Sequence, residues 1–461
     1  MAADGGPLRV PSRGGAAVLA AVLLLAACTN GPSSITRSPS PPASPLTPDE
    51  ADDALVVPVV ATTTGPDAES DRSFLDGIEL GAAAVNRRGG VEGRPVEIRV
   101  EDDGGDHRVA ADLIRQAVRS PGIAAVLVVG PAGSVVAARP EIEATRIPVV
   151  LLGGDLYSGR DLFRQAFQTS VPYRWQAAVM ARYLVKDRGY DRVVLVTERG
   201  PGMEVARQAF RGAMVEEGSL PSLSVPLSPA TDLGELVERM GDTDAVAYFG
   251  DAPAGRRLSR ALSTLEAPPQ LAASSFALQP SFAGPGGPEP GTVAPYPYTW
   301  AGWAEPIRRI GTFRDLCLRR LGHRPQGFEQ EGFDAVRLLA AGLRRSGGHG
   351  GDSLVRALES FTEALWSSLP IRLGPDDHLF FSDRQLGLFA VEEPGEDPEP
   401  WVADWAPWRP ILRTFTGNGE RTTVIDRDKD VFFPGWRPRE PAPDFWTSRY
   451  GITTRRRDPL H

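Results

Sequence analysis

The turn GPAGS, residues 130–134, combines residue types that bind anions through the backbone. It follows the apolar run VLVV, which is typical of a buried strand, and it opens a helical pattern. The first N–H groups of a helix lack intrahelical partners, and together with the helix dipole they favour a carboxylate. We therefore predict that Gly133 and Ser134 bind a ligand carboxylate. A plain N-cap role is the alternative for Ser134.

Two further polar residues stand where predicted strands end. Asp251 follows AVAYFG, and Ser275 closes LAASS. Because ligands of parallel α/β sheets bind at the carboxyl ends of strands, we predict both as ligand contacts. Plain surface positions are the alternative for each.

Other site chemistries find no support in the sequence. GPGMEVA, residues 200–206, follows a strand and opens a helix, but it lacks the third glycine of a dinucleotide loop. The five histidines are scattered without zinc-site spacing, and no Gly-x-Ser-x-Gly turn occurs. We therefore expect no metal, no cofactor and no enzymatic activity. The net charge of -9 also argues against nucleic acid as a partner.

The N-terminus has the pattern of an export signal. Arg9 and Arg13 precede the apolar run AAVLAAVLLLAA, which is shorter than the roughly 20 residues that span a bilayer. The run ends in LAAC, which resembles the lipobox of bacterial lipoproteins, so residues 1–28 are predicted to be a signal peptide with lipidation at Cys28. An ordinary signal peptide with a chance cysteine is the alternative. Residues 29–54 are rich in Ser and Pro and are predicted to be a disordered tether.

From residue 55 onwards, strand patterns alternate with helical patterns, which predicts an α/β fold with parallel sheets covered by helices. The first helix is expected to be capped by Ser70 or Asp71 and to have Phe74, Ile78, Ala82 and Val85 on one face. In the second helix, Val109, Leu113, Ala117 and Val118 are expected to face inward. The alternation restarts near residue 171, which predicts two Rossmann-like lobes.

The last 66 residues, 396–461, carry five of the nine tryptophans and many prolines. They show no long periodic segment, and so short a chain builds only a marginal core by itself. We predict an irregular extension that packs on the body through its aromatic side chains.

The segment VNRRGGVEGRPVEIRVEDD, residues 85–103, resembles the start of type I periplasmic binding proteins of the branched-chain amino acid (Leu/Ile/Val) family. Further similarities follow in order along the chain: VLVVGPAGS, IPVVLLGG, DLFRQAF, GFDAVRLLAAGL and LGPDDHLFF. The resemblance covers about residues 55–395. The positions that match the opening motif are Asn86, Gly89, Gly90, Gly93, Arg94 and Asp102.

The resemblance implies two lobes joined by hinge crossovers. Lobe 1 would comprise residues 55–170 with 300–368 returning to it, and lobe 2 residues 171–299 with 369–395 returning. It also implies that Gly153, Gly154 and Asp155 form a second ligand loop, with a simple turn as the alternative, and that Gly202 borders the site. Pro201 replaces the family's tyrosine and Asp155 enters a usually neutral loop, which argues against an aliphatic amino acid ligand.

The resemblance further implies a lipid-anchored extracytoplasmic protein that binds a small polar ligand, such as an amino acid or amide, and delivers it to an ABC permease. The alternative is a sensor or scaffold of the same fold with a degenerate cleft, acting on another membrane protein.

Overall fold

A computed structural model of the chain describes most of the body and a short part of the extension. The described residues are 54–65, 68–159, 161–199, 202–275, 279, 282, 291–297, 308–325, 328–361, 371, 373–380, 386–391 and 408–410. They all belong to one compact unit, Pro42–His461. The predictions for the signal segment, Cys28, the tether and most of the extension lie outside these residues.

The first sheet has five parallel strands in the order β2-β1-β3-β4-β5. Its strands are β1 (Leu55–Ala61), β2 (Val96–Asp102), β3 (Val126–Val129), β4 (Val149–Leu152) and β5 (Ala166–Gln168). Its helices are α1 (Ala68–Asn86), α2 (His107–Arg119) and α3 (Ala132–Thr145). The first four strands and all three helices are confirmed, whereas the short β5 was not predicted.

Two local predictions in these helices are wrong. Helix α1 begins at Ala68, before the expected caps, and the Asp71 carboxylate instead accepts a hydrogen bond from the backbone N–H of Thr62 at the end of β1. In α2, Val109 is 42% exposed because the helix packs inward through neighbouring positions such as Ile114.

The second sheet has seven strands in the order β12-β11-β10-β9-β8-β6-β7. They are β6 (Val193–Glu198), β7 (Leu223–Leu227), β8 (Ala245–Phe249), β9 (Gln270–Ala273), β10 (Val293–Pro297), β11 (Leu386–Val391) and β12 (Trp408–Pro410). Its helices are α4 (Tyr173–Arg182, continued by a π-turn Tyr183–Asp187), α5 (Met203–Glu216), α6 (Leu233–Met240) and α7 (Ala252–Leu262). Strands β6 to β10 run parallel, whereas β11 and β12 pair antiparallel.

Strand β10 is a buried strand that contains two prolines, Pro295 and Pro297. It pairs with β9 only at Val293, and it pairs with β11 along its whole length. A proline cannot donate a ladder hydrogen bond. The prolines are tolerated because they follow the single point at which β10 meets β9.

Strand β12 is the part of the extension that the structure describes. It pairs with β11 through the backbone, at Phe389–Pro410, Ala390–Arg409 and Val391–Trp408. Residues 408–410 of the extension therefore form an edge strand of the second sheet.

Three late helices return to the first sheet: α8 (Arg308–Leu321), α9 (Glu329–Arg345) and α10 (Gly351–Glu359). Helix α8 buries Phe313 and Cys317 against Leu80 of α1. Helix α10 is tied to the end of α3 by an ion pair between Asp352 and Arg146 of 2.8 Å. Within the described residues, no helix is both long and apolar enough to cross a membrane.

Helices α1 and α9 approach each other until their backbones touch. A Cβ atom added to Gly77 would overlap the carbonyl oxygen of Glu329, and one added to Gly332 would overlap the carbonyl oxygen of Phe74. Only glycine leaves room for this contact. The crossing fixes Phe74 and the start of α9 side by side.

The chain passes between the two sheets three times. Residues 169–172 lead from β5 to α4, the second passage lies between β10 and α8, and the third lies between α10 and β11. The first and third passages lie side by side, since Gln168 and Leu379 form a parallel β-bridge. Such crossovers form a hinge between two lobes, and the loops at the strand ends face each other across it.

Replacing Gly77 by Ala is expected to destabilise the protein by about 1–3 kcal/mol, because the added methyl group forces two backbones apart. Urea unfolding at pH 7 measures the effect. Gly212→Ala on α5 is the matched control, since its Cβ would meet no atom within 4 Å, and alanine there should be neutral or stabilising by up to about 1 kcal/mol. Equal unfolding midpoints for the two variants would contradict the close crossing.

Candidate functional site

A cavity lies where the two lobes and the crossing segment meet. Lobe 1 supplies Phe74 of α1, the loop after β4, and the start of α9; the crossing supplies Ser170 and Val171; lobe 2 supplies α4 and the end of β9. The lining residues are Phe74, Gly153, Gly154, Asp155, Ser170, Val171, Tyr173, Gln176, Ser275, Phe328 and Glu331. This is the position at which parallel α/β sheets bind ligands.

The cavity is small. Its volume is about 10 Å³, which is room for about one water molecule. The cavity as it stands has no room for a molecule as large as an amino acid.

The carboxylate of Glu331 connects three parts of the molecule in the cavity wall. Its Oε1 accepts a hydrogen bond of 2.7 Å from the Tyr296 hydroxyl on β10. Its Oε2 accepts from the hydroxyls of Thr169, at 2.8 Å, and Ser170, at 3.2 Å, on the crossing segment. Ser170 in turn accepts a hydrogen bond from the backbone N–H of Gly153. One buried carboxylate thus links α9, the hinge and the second sheet.

Burial raises the pKa of Glu331 to about 7, because the carboxylate loses its hydration. The hydrogen bonds from Tyr296, Thr169 and Ser170 favour the anion and oppose this shift, while repulsion from Asp334 adds to it. A carboxyl group with this pKa changes its protonation state near neutral pH.

Asp155 also has a buried carboxylate, but its bonds serve the local fold. It accepts hydrogen bonds from the backbone N–H of Tyr173, at 2.6 Å, and of Ser158, at 3.0 Å, and a longer one from the Gln168 amide at 3.4 Å. The first of these bonds holds the start of α4. Burial raises the pKa of Asp155, and the hydrogen bonds act in the opposite direction.

Aromatic rings form the apolar part of the wall. Phe74 and Phe328 stack with ring centres 4.7 Å apart, and Tyr296 meets Phe328 edge-on at 5.6 Å. Tyr173 contacts Phe249 edge-on at 6.0 Å. These pairs fix the rings in place, since each ring is held by a second one.

Four of the eight residues predicted to bind the ligand lie together in the cavity lining. They are Gly153, Gly154, Asp155 and Ser275. Gly153 has a positive φ of 82°, and Gly154 packs directly on the backbone of residues 130–132. The backbone N–H of Ser275 donates to the Gln176 side chain at 2.9 Å.

The other four predicted residues are not among those that line the cavity. Ser134 is buried in the first turn of α3, and its hydroxyl donates to the carbonyl of Pro131, which is the N-cap; Gly133 lies beside it. Gly202 is the N-cap of α5. Asp251 caps α7 by accepting a hydrogen bond of 2.7 Å from the backbone N–H of Ala254.

A comparison with known proteins assigns the family. The sequence model described as "Periplasmic binding protein" matches residues 54–384. The chain belongs to this family. Its members are substrate-binding proteins that act outside the cytoplasm, and the resemblance noted in the sequence is confirmed.

This periplasmic binding protein has curated relatives with similar sequences. The Leu/Ile/Val-binding protein homolog 3 of Brucella melitensis is 28% identical over 215 residues, which cover 45% of this chain and 57% of that protein. The chain thus matches little more than half the length of that relative.

Solved structures share the fold. The type 1 periplasmic binding protein of Bordetella pertussis superposes with a TM-score of 0.69 at 19% identity, covering 78% of this chain and 100% of that one. The leucine-binding protein LivK of Thermotoga maritima gives 0.65 at 18% identity, covering 75% and 98%. These matches confirm the two-lobed α/β fold.

Sequence reasoning missed several residues of the cavity wall: Phe74, Ser170, Val171, Tyr173, Gln176, Phe328 and Glu331. Phe74 was expected on the buried face of its helix, and it is 1% exposed. One signal was available for Glu331. The start of α9, FEQEGFD, places acidic residues in a helix whose remaining positions are mostly apolar, and buried acids of this kind mark functional sites.

Replacing Glu331 by Gln is expected to change how stability depends on pH. The unfolded pKa of a glutamate is about 4.3, so the folded chain holds the Glu331 proton more tightly. The stabilisation of the folded state by the Glu331 proton is fully present below the unfolded pKa. It is lost as the pH rises through about 7, the pKa in the folded state. The wild type should therefore lose up to about 3 kcal/mol relative to Glu331→Gln between pH 4.5 and pH 8.

Urea unfolding of the two proteins at half-unit pH steps checks this expectation. The difference between them isolates Glu331, because Asp155 and other buried acids are present in both. Two parallel stability curves over this range would show that the carboxyl group has an ordinary pKa.

Proposed function

We propose that this protein is a solute-binding lipoprotein that captures a small polar ligand between its lobes and delivers it to an ABC permease. The observation that carries the proposal is the interlobe cavity, in which the loop after β4, the hinge and the end of β9 meet. Polar groups from all three converge on it, as in sites that fix the orientation of a small ligand. Binding is the whole activity in this proposal, and the ligand leaves unchanged.

Closure of the lobes is the step that ligand binding would drive. A ligand that contacts both lobes binds the closed form better than the open form, and that difference in affinity shifts the equilibrium. The closed surface would then dock on the permease. We propose the lobe boundaries that the family resemblance implies, with Gly153, Gly154, Asp155 and Ser275 as ligand contacts.

A sensor or scaffold with the same fold is the second candidate. The observation that favours it is the size of the cavity, about 10 Å³, which Phe74, Phe328 and Tyr173 reduce. In this alternative the lobes stay closed without a ligand, and the protein acts on another membrane protein through its surface.

A thermal-shift screen against amino acids, amides, amines and small organic acids separates the two. A true ligand at 100 times its dissociation constant should stabilise the folded protein by about 2.7 kcal/mol. Ser275→Phe, which fills the cavity from lobe 2, is expected to abolish the shift; the ring also costs about 1–3 kcal/mol of stability, so circular dichroism checks that the variant folds. If no compound of any class shifts the midpoint, the transport proposal fails and the scaffold is favoured.

We also propose that Cys28 carries the lipid anchor. In cells that express the full chain, a labelled fatty acid should be incorporated into the wild type and into Cys317→Ala, but not into Cys28→Ala. Cys317 is the matched control because it is the second of only two cysteines and is buried in the fold. Label retained in Cys28→Ala would exclude this anchor.

A further inference from the structure

We propose that Glu331 makes the interlobe cavity a site for an organic cation, so that the ligand presents an alkylammonium or related group to this carboxylate. The inference deepens the proposed function, on which it rests, by naming the chemical class of the ligand. Its basis is the set of partners around two buried carboxylates.

The partners of Glu331 are all neutral. Its side chain is buried, with the whole residue 2% exposed, and the three groups that donate to it are hydroxyls, those of Tyr296, Thr169 and Ser170. A buried carboxylate is costly unless it is paired with a positive charge. Among the described residues that line the cavity there is no arginine, lysine or histidine.

The second carboxylate of the lining repeats this arrangement. The partners of Asp155 are backbone N–H groups, the amide of Gln168 and the hydroxyl of Ser158, and all of them are neutral. When ionised, the carboxylates of Glu331 and Asp155 therefore both place negative charge at the interlobe cavity. A cation in the cavity is attracted by both, while a carboxylate of a ligand is repelled by both.

The aromatic wall favours the same class of ligand. Phe74, Phe328 and Tyr173 line the cavity beside the two carboxylates. Aromatic faces attract ammonium groups, and the attraction grows when water is excluded. The apolar surface also suits the alkyl part of an organic cation better than a hydrated metal ion.

The group expected to hold a ligand carboxylate is turned away. The Ser134 hydroxyl is bonded to the Pro131 carbonyl at 3.0 Å, and Ser134 is only 1% exposed. The ammonium group of an amino acid would thus meet the two carboxylates of the cavity. Its own carboxylate would not find the Ser134 hydroxyl that was predicted to bind it. A cavity of about 10 Å³ holds an ammonium group, and a longer chain needs the lobes to part.

Three four-carbon probes that differ only in their head group test the inference: butylamine, butyramide and butyrate. Their affinities for the full protein are measured by calorimetry at pH 8, where the butylammonium ion is still charged, as a lysine would be. We expect butylammonium to bind and butyrate not to bind. Glu331→Gln should weaken butylammonium binding at least tenfold while it keeps the size of the side chain, and the hydroxyl that faces the new NH2 group can rotate to accept from it.

Glu359→Gln is the matched control. It removes the same charge from another largely buried glutamate, which lies next to Arg164 and His378 and does not line the cavity. Its affinity for butylammonium should stay within about twofold of the wild type. An equal loss in both variants would show a general charge effect and overturn the role of Glu331.

The pH dependence gives a second readout. The titratable groups around Glu331 are Tyr296 on β10, Asp334 on α9, and Asp155 and Tyr173 on the cavity wall; α1 presents the uncharged Phe74. Because a cation needs the ionised carboxylate, butylammonium affinity should rise several-fold from pH 6 to pH 8 in the wild type and rise clearly less in Glu331→Gln, where Asp155 is the carboxylate that remains in the lining.

The outcomes distinguish the inference from the proposed function. If butyramide, butyrate or an amino acid binds more tightly than butylammonium, the inference is wrong and the solute-binding function stands. If no probe and no compound of the wider screen binds, both are wrong.

Discussion

The close crossing of α1 and α9 is the contact on which the rest of the architecture depends. Gly77 and Gly332 let the two backbones touch, so α9 is anchored on lobe 1 although it follows strand β10 of lobe 2 in the chain. This anchoring creates the second and third passages between the lobes. It also sets Phe74 against Phe328 and directs Glu331 into the cavity.

The hinge region is held by polar contacts that centre on one carboxylate. Tyr296 comes from lobe 2, Thr169 and Ser170 from the crossing, and Glu331 from lobe 1. A network of this kind is stable only when each buried polar atom has its partners. Its charge, however, has no positive partner among the described residues that line the cavity, and the proposed preference for a cation rests on this imbalance.

The acidic residue that departs from the family pattern has a structural use. Asp155 holds the first turn of α4 through the backbone of Tyr173 and also lines the cavity. Because α4 begins lobe 2, the loop after β4 in lobe 1 is bonded directly to the other lobe.

The fold was largely predictable from the sequence, because its strands and helices carry strong periodic patterns. Strand β1 and the inward face of α1, with Phe74 and Ile78, follow directly from the spacing of apolar residues. Strands β5 and β12 were missed because they have only three residues each, and β10 because prolines argue against a buried strand. Asp251 and Ser275 illustrate the limit for sites: both end strands, but only Ser275 lines the cavity.

The order of elements, the family resemblance and the loop at residues 153–155 could all be inferred from the amino-acid pattern. The set of side chains that share the cavity became visible in the folded chain. Glu331 meets Tyr296, 35 residues away, and Thr169, 162 residues away, and no local pattern encodes such a meeting. The reason is physical: periodicity records which face of an element is buried, whereas the partners on that face depend on how distant segments pack.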